Sequence, residues 1–92
     1  MSHTIRGKKK LLARVRRIRG QMEGIERTLE AEKPCADVLH QIAAARGALT
    51  GLMREVMEGH IQSHIADPAI TSDSEREQGA AELISILRAY LK

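Results

Sequence analysis

The sequence predicts an all-α fold, a protomer of three helices, and three observations carry that expectation. Apolar residues recur at steps of three and four along almost the whole chain, and no run alternates with the period of a strand. Phe and Trp are absent and Tyr90 is the only aromatic residue. A core of Leu, Ile, Val, Met and Ala suits packed helices better than a sandwich or barrel. The two prolines, Pro34 and Pro68, fall between the periodic segments rather than inside them.

The first helix is expected from about residue 5 to Glu30, with Thr4 as its N-cap. Leu11, Val15, Ile18, Met22, Ile25 and Leu29 form its seam, stepping by four and three. Ala31-Glu32-Lys33-Pro34 is the turn. Proline at the start of the next helix is tolerated because its missing N–H would be unpaired there. The second helix, about 35–65, repeats the seam at Val38, Ile42, Ala45, Leu49, Leu52 and Val56. Asp67-Pro68 opens a polar linker, and Ser72 with Glu75 fits a capping box for a third helix over 73–91. Ala80, Leu83, Ile84, Leu87 and Leu91 make its apolar stripe.

Ninety-two residues make one domain, 1–92, near the size at which a monomer buries too little surface and association supplies the rest. A single cysteine excludes a disulfide framework and favours a reducing compartment. No apolar run has the roughly 20 residues of a membrane span, and the basic N-terminus lacks the hydrophobic stretch of a signal peptide. The expected location is the cytoplasm.

The net charge of +3 is unevenly spread. Residues 1–28 carry about +7 and the remainder −4, the footprint of a polyanion binder. Lys8, Lys9, Lys10, Arg14, Arg16, Arg17 and Arg19 follow one another with no acid among them. A membrane surface is disfavoured because aromatic anchors are missing. The same lack argues against single-strand stacking. Double-stranded DNA, met by helix faces along its phosphates, is the expected partner.

Cys35 precedes His60 by 25 residues, and His64 follows one turn later. On one helix, Cys35 and His60 would lie roughly 37 Å apart at 1.5 Å of rise per residue. They can share a site only if a second copy of the helix runs antiparallel. Ala43, Ala44, Ala45, Gly47, Ala48 and Gly51 cluster where two backbones could approach. A two-fold axis near residue 48 or 49 would set Cys35 opposite residues 61–63 of the second copy. Two imidazoles one turn apart plus a thiolate suit a transition metal. His3 is a further candidate ligand, as is the Ser2 amine if the initiator methionine is removed; His40 lies off this surface.

MSHTIR, ARVRRIRGQ, the Cys35 context, QIAAARGALTGLMREV and GHIQSHI together resemble the CsoR/RcnR family of bacterial transcriptional repressors. The resemblance covers almost the whole chain. It implies an antiparallel dimer, a tetramer built as a dimer of dimers, and operator DNA that is bound without effector and released with it. Histidine at position 64, where copper(I) sensors carry cysteine, disfavours copper. The set His3, Cys35, His60 and His64 resembles the nickel/cobalt-sensing RcnR/DmeR branch, with a metal-efflux gene as the implied target. Five or six N/S donors suit six-coordinate Ni(II) or Co(II), while a tetrahedral Zn(II) site is also possible. The segment VRRIRGQ equally resembles the formaldehyde-responsive FrmR branch, which implies reaction at the Cys35 position and an N-terminal amine. Ser2 replaces the proline of that branch. A metal-buffering protein and a Cys–His enzyme are the readings from other classes. The second lacks an oriented base and a pocket, so no enzyme is expected.

Overall fold

In the computed structural model, residues 7–91 are described, and they form three helices with no strand among them. We denote these α1 (Lys8–Glu30), α2 (Cys35–His64) and α3 (Asp73–Tyr90). The packing divides into two compact units, Lys8–Arg54 and the segment from Glu55 onward, and α2 runs through both.

The expected start of α1 needs correcting. Gly7 lies in a turn and the helix begins at Lys8, as glycine's high backbone entropy favours. The expected Thr4 cap lies outside the described residues. At the other end, the Lys33 amide donates to the Thr28 carbonyl at 3.2 Å and the Glu32 amide to Leu29 at 3.0 Å. These two bonds define a Schellman motif, whose left-handed position is usually glycine. Here Glu32 occupies it, with φ of 53°. Pro34 then lets α2 start at Cys35, and its carbonyl accepts from Asp37 at 3.0 Å.

Within the first unit, α1 and α2 form an antiparallel hairpin. A Cβ built on Gly24 would touch Gln41, and one built on Gly51 would meet the Arg14 guanidinium. The expected seams divide between two faces. Ile18 and Ile25 are each 8% exposed and Ala45 4%, whereas Val15, Met22 and Leu29 are 43%, 52% and 59% exposed. Leu11, Val38 and Leu52 follow the buried set, and Ile42 and Leu49 the exposed one. The places beside the buried isoleucines are taken by Arg14, Gln21 and Thr28 on α1 and by Gln41 on α2, all half-buried. The Oε1 atoms of Gln21 and Gln41 are buried without a donor among the described residues. A polar layer of this kind weakens the hairpin seam. The apolar stripe next to it faces outward.

The second unit is a helix–loop–helix. Ser72 caps α3 as expected, its hydroxyl accepting from the Glu75 amide at 3.3 Å. The loop from Ile65 to Ile70 is held by Arg76, whose guanidinium donates to the carbonyls of Ile65 (2.6 Å), Asp67 (3.2 Å) and Ile70 (2.6 Å). On α3, Ala80, Leu83 and Leu87 are half-buried, while Ile84 and Leu91 of the expected stripe are exposed.

Candidate metal centre and nucleic-acid face

Cys35 is the first residue of α2 and is exposed. His60 and His64 lie on its last turns, with ring centroids 4.9 Å apart. The chain thus brings the two histidines together and keeps the cysteine at the opposite end of a 30-residue helix. Among the described residues, no group of three His, Cys, Asp or Glu side chains is gathered for a metal ion. Ser2 and His3 lie outside the described residues.

The histidine end is more built than the spacing alone suggests. His60 has a side chain only 13% exposed, and its Nε2 lies 2.9 Å from the Gly79 carbonyl oxygen. A carbonyl can only accept, so Nε2 donates and carries the ring proton. In the neutral imidazole the lone pair is then on Nδ1. Metal-binding histidines are commonly oriented in this way, through the ring nitrogen that does not meet the metal. Glu82 stands 3.9 Å from the same Nε2, and its other oxygen accepts from Gln78 at 3.3 Å.

Gly79 is the residue that makes this contact possible. It is buried against the end of α2, and a Cβ there would collide with the carbonyl oxygen of His64. Beside His64, an open cleft of about 350 Å³ is lined by Ser63, Ser74, Glu75, Gln78 and Glu82 among others. Sequence reasoning missed Gly79, Glu82 and Arg76. The one available signal was Gly79, a glycine inside a helical pattern, which often marks a close backbone approach.

The cations expected on DNA all lie on α1. Lys8, Lys9, Lys10, Arg16, Arg17 and Arg19 are exposed. Arg14 differs from these six. It is half-buried, with its guanidinium laid over Gly51. No helix among the described residues is long and apolar enough to cross a membrane.

A cationic helix paired with a helix that carries a thiol and two imidazoles is consistent with a ligand-responsive DNA-binding protein. Comparison with known proteins agrees. The model of the metal-sensitive transcriptional repressor family matches residues 7–89, and the chain belongs to that family. It is 45% identical to the transcriptional repressor RcnR of Salmonella paratyphi B, over all 92 residues and the full length of both chains. It is 54% identical, again over both full lengths, to an uncharacterized protein from the bioA 5′ region of Serratia marcescens. Among solved structures, it resembles a glutamate-to-histidine variant of the formaldehyde-responsive regulator FrmR from Salmonella enterica serovar Typhimurium. That match has a TM-score of 0.82 and 48% identity, and covers 92% of this chain and 94% of the other. The protein is therefore of the repressor class and not an enzyme.

Proposed function

We propose that this repressor responds to Ni(II) or Co(II), binding operator DNA without metal and releasing it with metal, so that a metal-efflux gene is expressed. The observation that carries this reading is the histidine pair at one end of α2, with His60 pinned to Gly79, and the lone thiol at the other end. Two copies of α2 in antiparallel order unite the two ends, giving two equivalent sites per dimer. The outward stripe of Val15, Met22, Leu29, Ile42 and Leu49 supports such an association, because isolated soluble protomers rarely expose a continuous apolar face of this kind. A dimer of such dimers is the proposed tetramer.

Cys35 of one protomer with His60 and His64 of the partner subunit would hold the ion. His3 and the Ser2 amine complete a set of five donors, more than a tetrahedral Zn(II) ion uses. Bound there, the metal supplies a fixed point that the N-terminal residues can reach. Engagement of His3 and Ser2 ties down the segment that leads into α1, whose Lys8, Lys9, Lys10, Arg16, Arg17 and Arg19 meet DNA phosphates, with Arg14 beside them. A coupling of about 1–3 kcal/mol between the two sites lowers operator affinity 5- to 150-fold.

A second reading is supported by the FrmR likeness and by the exposure of Cys35. Formaldehyde would join the Cys35 Sγ to an N-terminal amine through one methylene carbon, its oxygen leaving as water. The deciding experiment uses a DNA duplex selected by the metal-free protein from a randomised pool. Release is followed by fluorescence anisotropy with Ni(II), Co(II), Zn(II), Cu(I) and formaldehyde in parallel. Release by Ni(II) or Co(II) at lower concentration than the others supports the metal reading, and release by formaldehyde alone overturns it.

A further inference from the structure

Arg76 lies outside the motifs that carry the family resemblance and outside the donor set, and its guanidinium makes three hydrogen bonds to backbone carbonyls. It lies in the first turns of α3 and reaches back to the segment that follows His64. Its Nη1 donates to Ile65, and its Nη2 is shared between Ile70 and Asp67. The Ile65 carbonyl immediately follows the last residue of α2, where carbonyls lack intrahelical partners and a cation is favoured. The three bonds therefore fix α3 along its own axis against the end of α2. Three residues on, and so on the same side of α3, Gly79 sits against the His64 carbonyl and receives the His60 N–H. A slip of α3 by one residue, about 1.5 Å, would remove both contacts.

We infer that Arg76 is a positioning residue for the effector site, setting the His60 ring by holding α3 in register with the end of α2. The inference rests on the metal reading given above. A planar fork reaches three carbonyls from two nitrogens, and a lysine ammonium cannot reproduce that span. Charge alone therefore does not suffice, which separates positioning from simple electrostatic support of the helix end.

The test measures Co(II) affinity against a competing chelator, together with the visible absorption spectrum, for the full-length wild type, C35A, R76K and S72A. The wild type should show a thiolate-to-cobalt charge-transfer band that C35A lacks; its absence would overturn the metal reading itself. Given that band, R76K should bind Co(II) at least tenfold more weakly, with altered ligand-field bands. S72A, which loses the α3 cap but keeps the clamp, should bind as wild type does. Wild-type binding by R76K overturns the inference. So does weakening of R76K and S72A in common proportion to their melting temperatures. A measurement on the unmutated protein guards against misfolding of R76K. By reciprocity, Zn(II) saturation should slow hydrogen exchange of the Arg76 guanidinium and the Ile70 amide. Unchanged exchange at both groups, with the His64 ring signals shifted, overturns the inference as well.

Discussion

The imidazole of His60 donates a hydrogen bond from Nε2 to the carbonyl of Gly79, 19 residues away across the α2–α3 loop, at 2.9 Å. The bond aims one ring nitrogen into α3 and leaves the other as the donor atom for a ligand. It depends on Gly79, because any larger residue there meets the His64 carbonyl.

Gly79→Ala should therefore act on stability and on ligand binding together. The added methyl forces α3 away from α2, at a cost of roughly 1–3 kcal/mol. Urea denaturation should show the loss, and Co(II) competition should show weaker binding. Gly20→Ala is the contrast. Gly20 is in the middle of α1 with nothing within 4 Å of its Cβ position. That change should stabilise by about 0.5–1 kcal/mol.

Glu32 offers a second stability test. It holds a left-handed conformation that costs a non-glycine residue roughly 1–2 kcal/mol. Glu32→Gly should raise stability by about 0.5–1 kcal/mol after the extra freedom of the unfolded chain is allowed for. A midpoint in urea that does not rise would show that the Schellman turn is not the conformation adopted in solution.

These examples show what was legible in the sequence. The three helices were readable because Pro34, Asp67-Pro68 and the Ser72 cap separate segments of clear periodicity. The division of their apolar stripes was not. A list of a and d positions contains two adjacent faces, and only the placement of the second helix decides which is inside. That placement put Gln21, Gln41 and Arg14 in the hairpin and turned Met22 and Leu49 outward. The candidate donors Cys35, His60 and His64 stand out by residue type and spacing. The surroundings of the two histidines do not, because Gly79, Glu82 and Arg76 reach that end of α2 across a loop whose path no local pattern records.

The outward stripe predicts association. Leu49→Glu places a charge on a residue already 49% exposed, so the isolated protomer should lose no more than about 0.5 kcal/mol. In a dimer that covers this stripe, the same carboxylate is buried without a partner. Sedimentation equilibrium should find an oligomer for the wild type and a lower mass for the variant. A wild type that is monomeric at micromolar concentration would remove the basis for a site shared between protomers.

Arg16 and Arg14 should separate on DNA. Arg16 is exposed, so Arg16→Ala should remove about one phosphate contact and reduce the slope of log K against log salt by roughly 0.9. Its melting temperature should stay near that of the wild type. Arg14→Ala uncovers Gly51 as well, and should lower both DNA affinity and thermal stability. Equal melting temperatures for the two variants would mean that the Arg14 guanidinium does not pack against α2 in solution.

The pH dependence of metal binding tests the thiol directly. A metal takes cysteine as thiolate and histidine as neutral imidazole, so each donor that begins protonated releases a proton on binding. Affinity should accordingly rise with pH, and Cys35 contributes to that rise wherever its thiol is protonated in the free protein. Cys35→Ser removes this contribution while leaving the histidines in place. The slope of log K for Co(II) against pH should fall by about one in the variant across that range. Calorimetry in buffers of different ionisation enthalpy should count one proton fewer released. If the slope and the proton count match those of the wild type, Cys35 is not a metal ligand, and its exposed thiol is left to the aldehyde chemistry of the second reading.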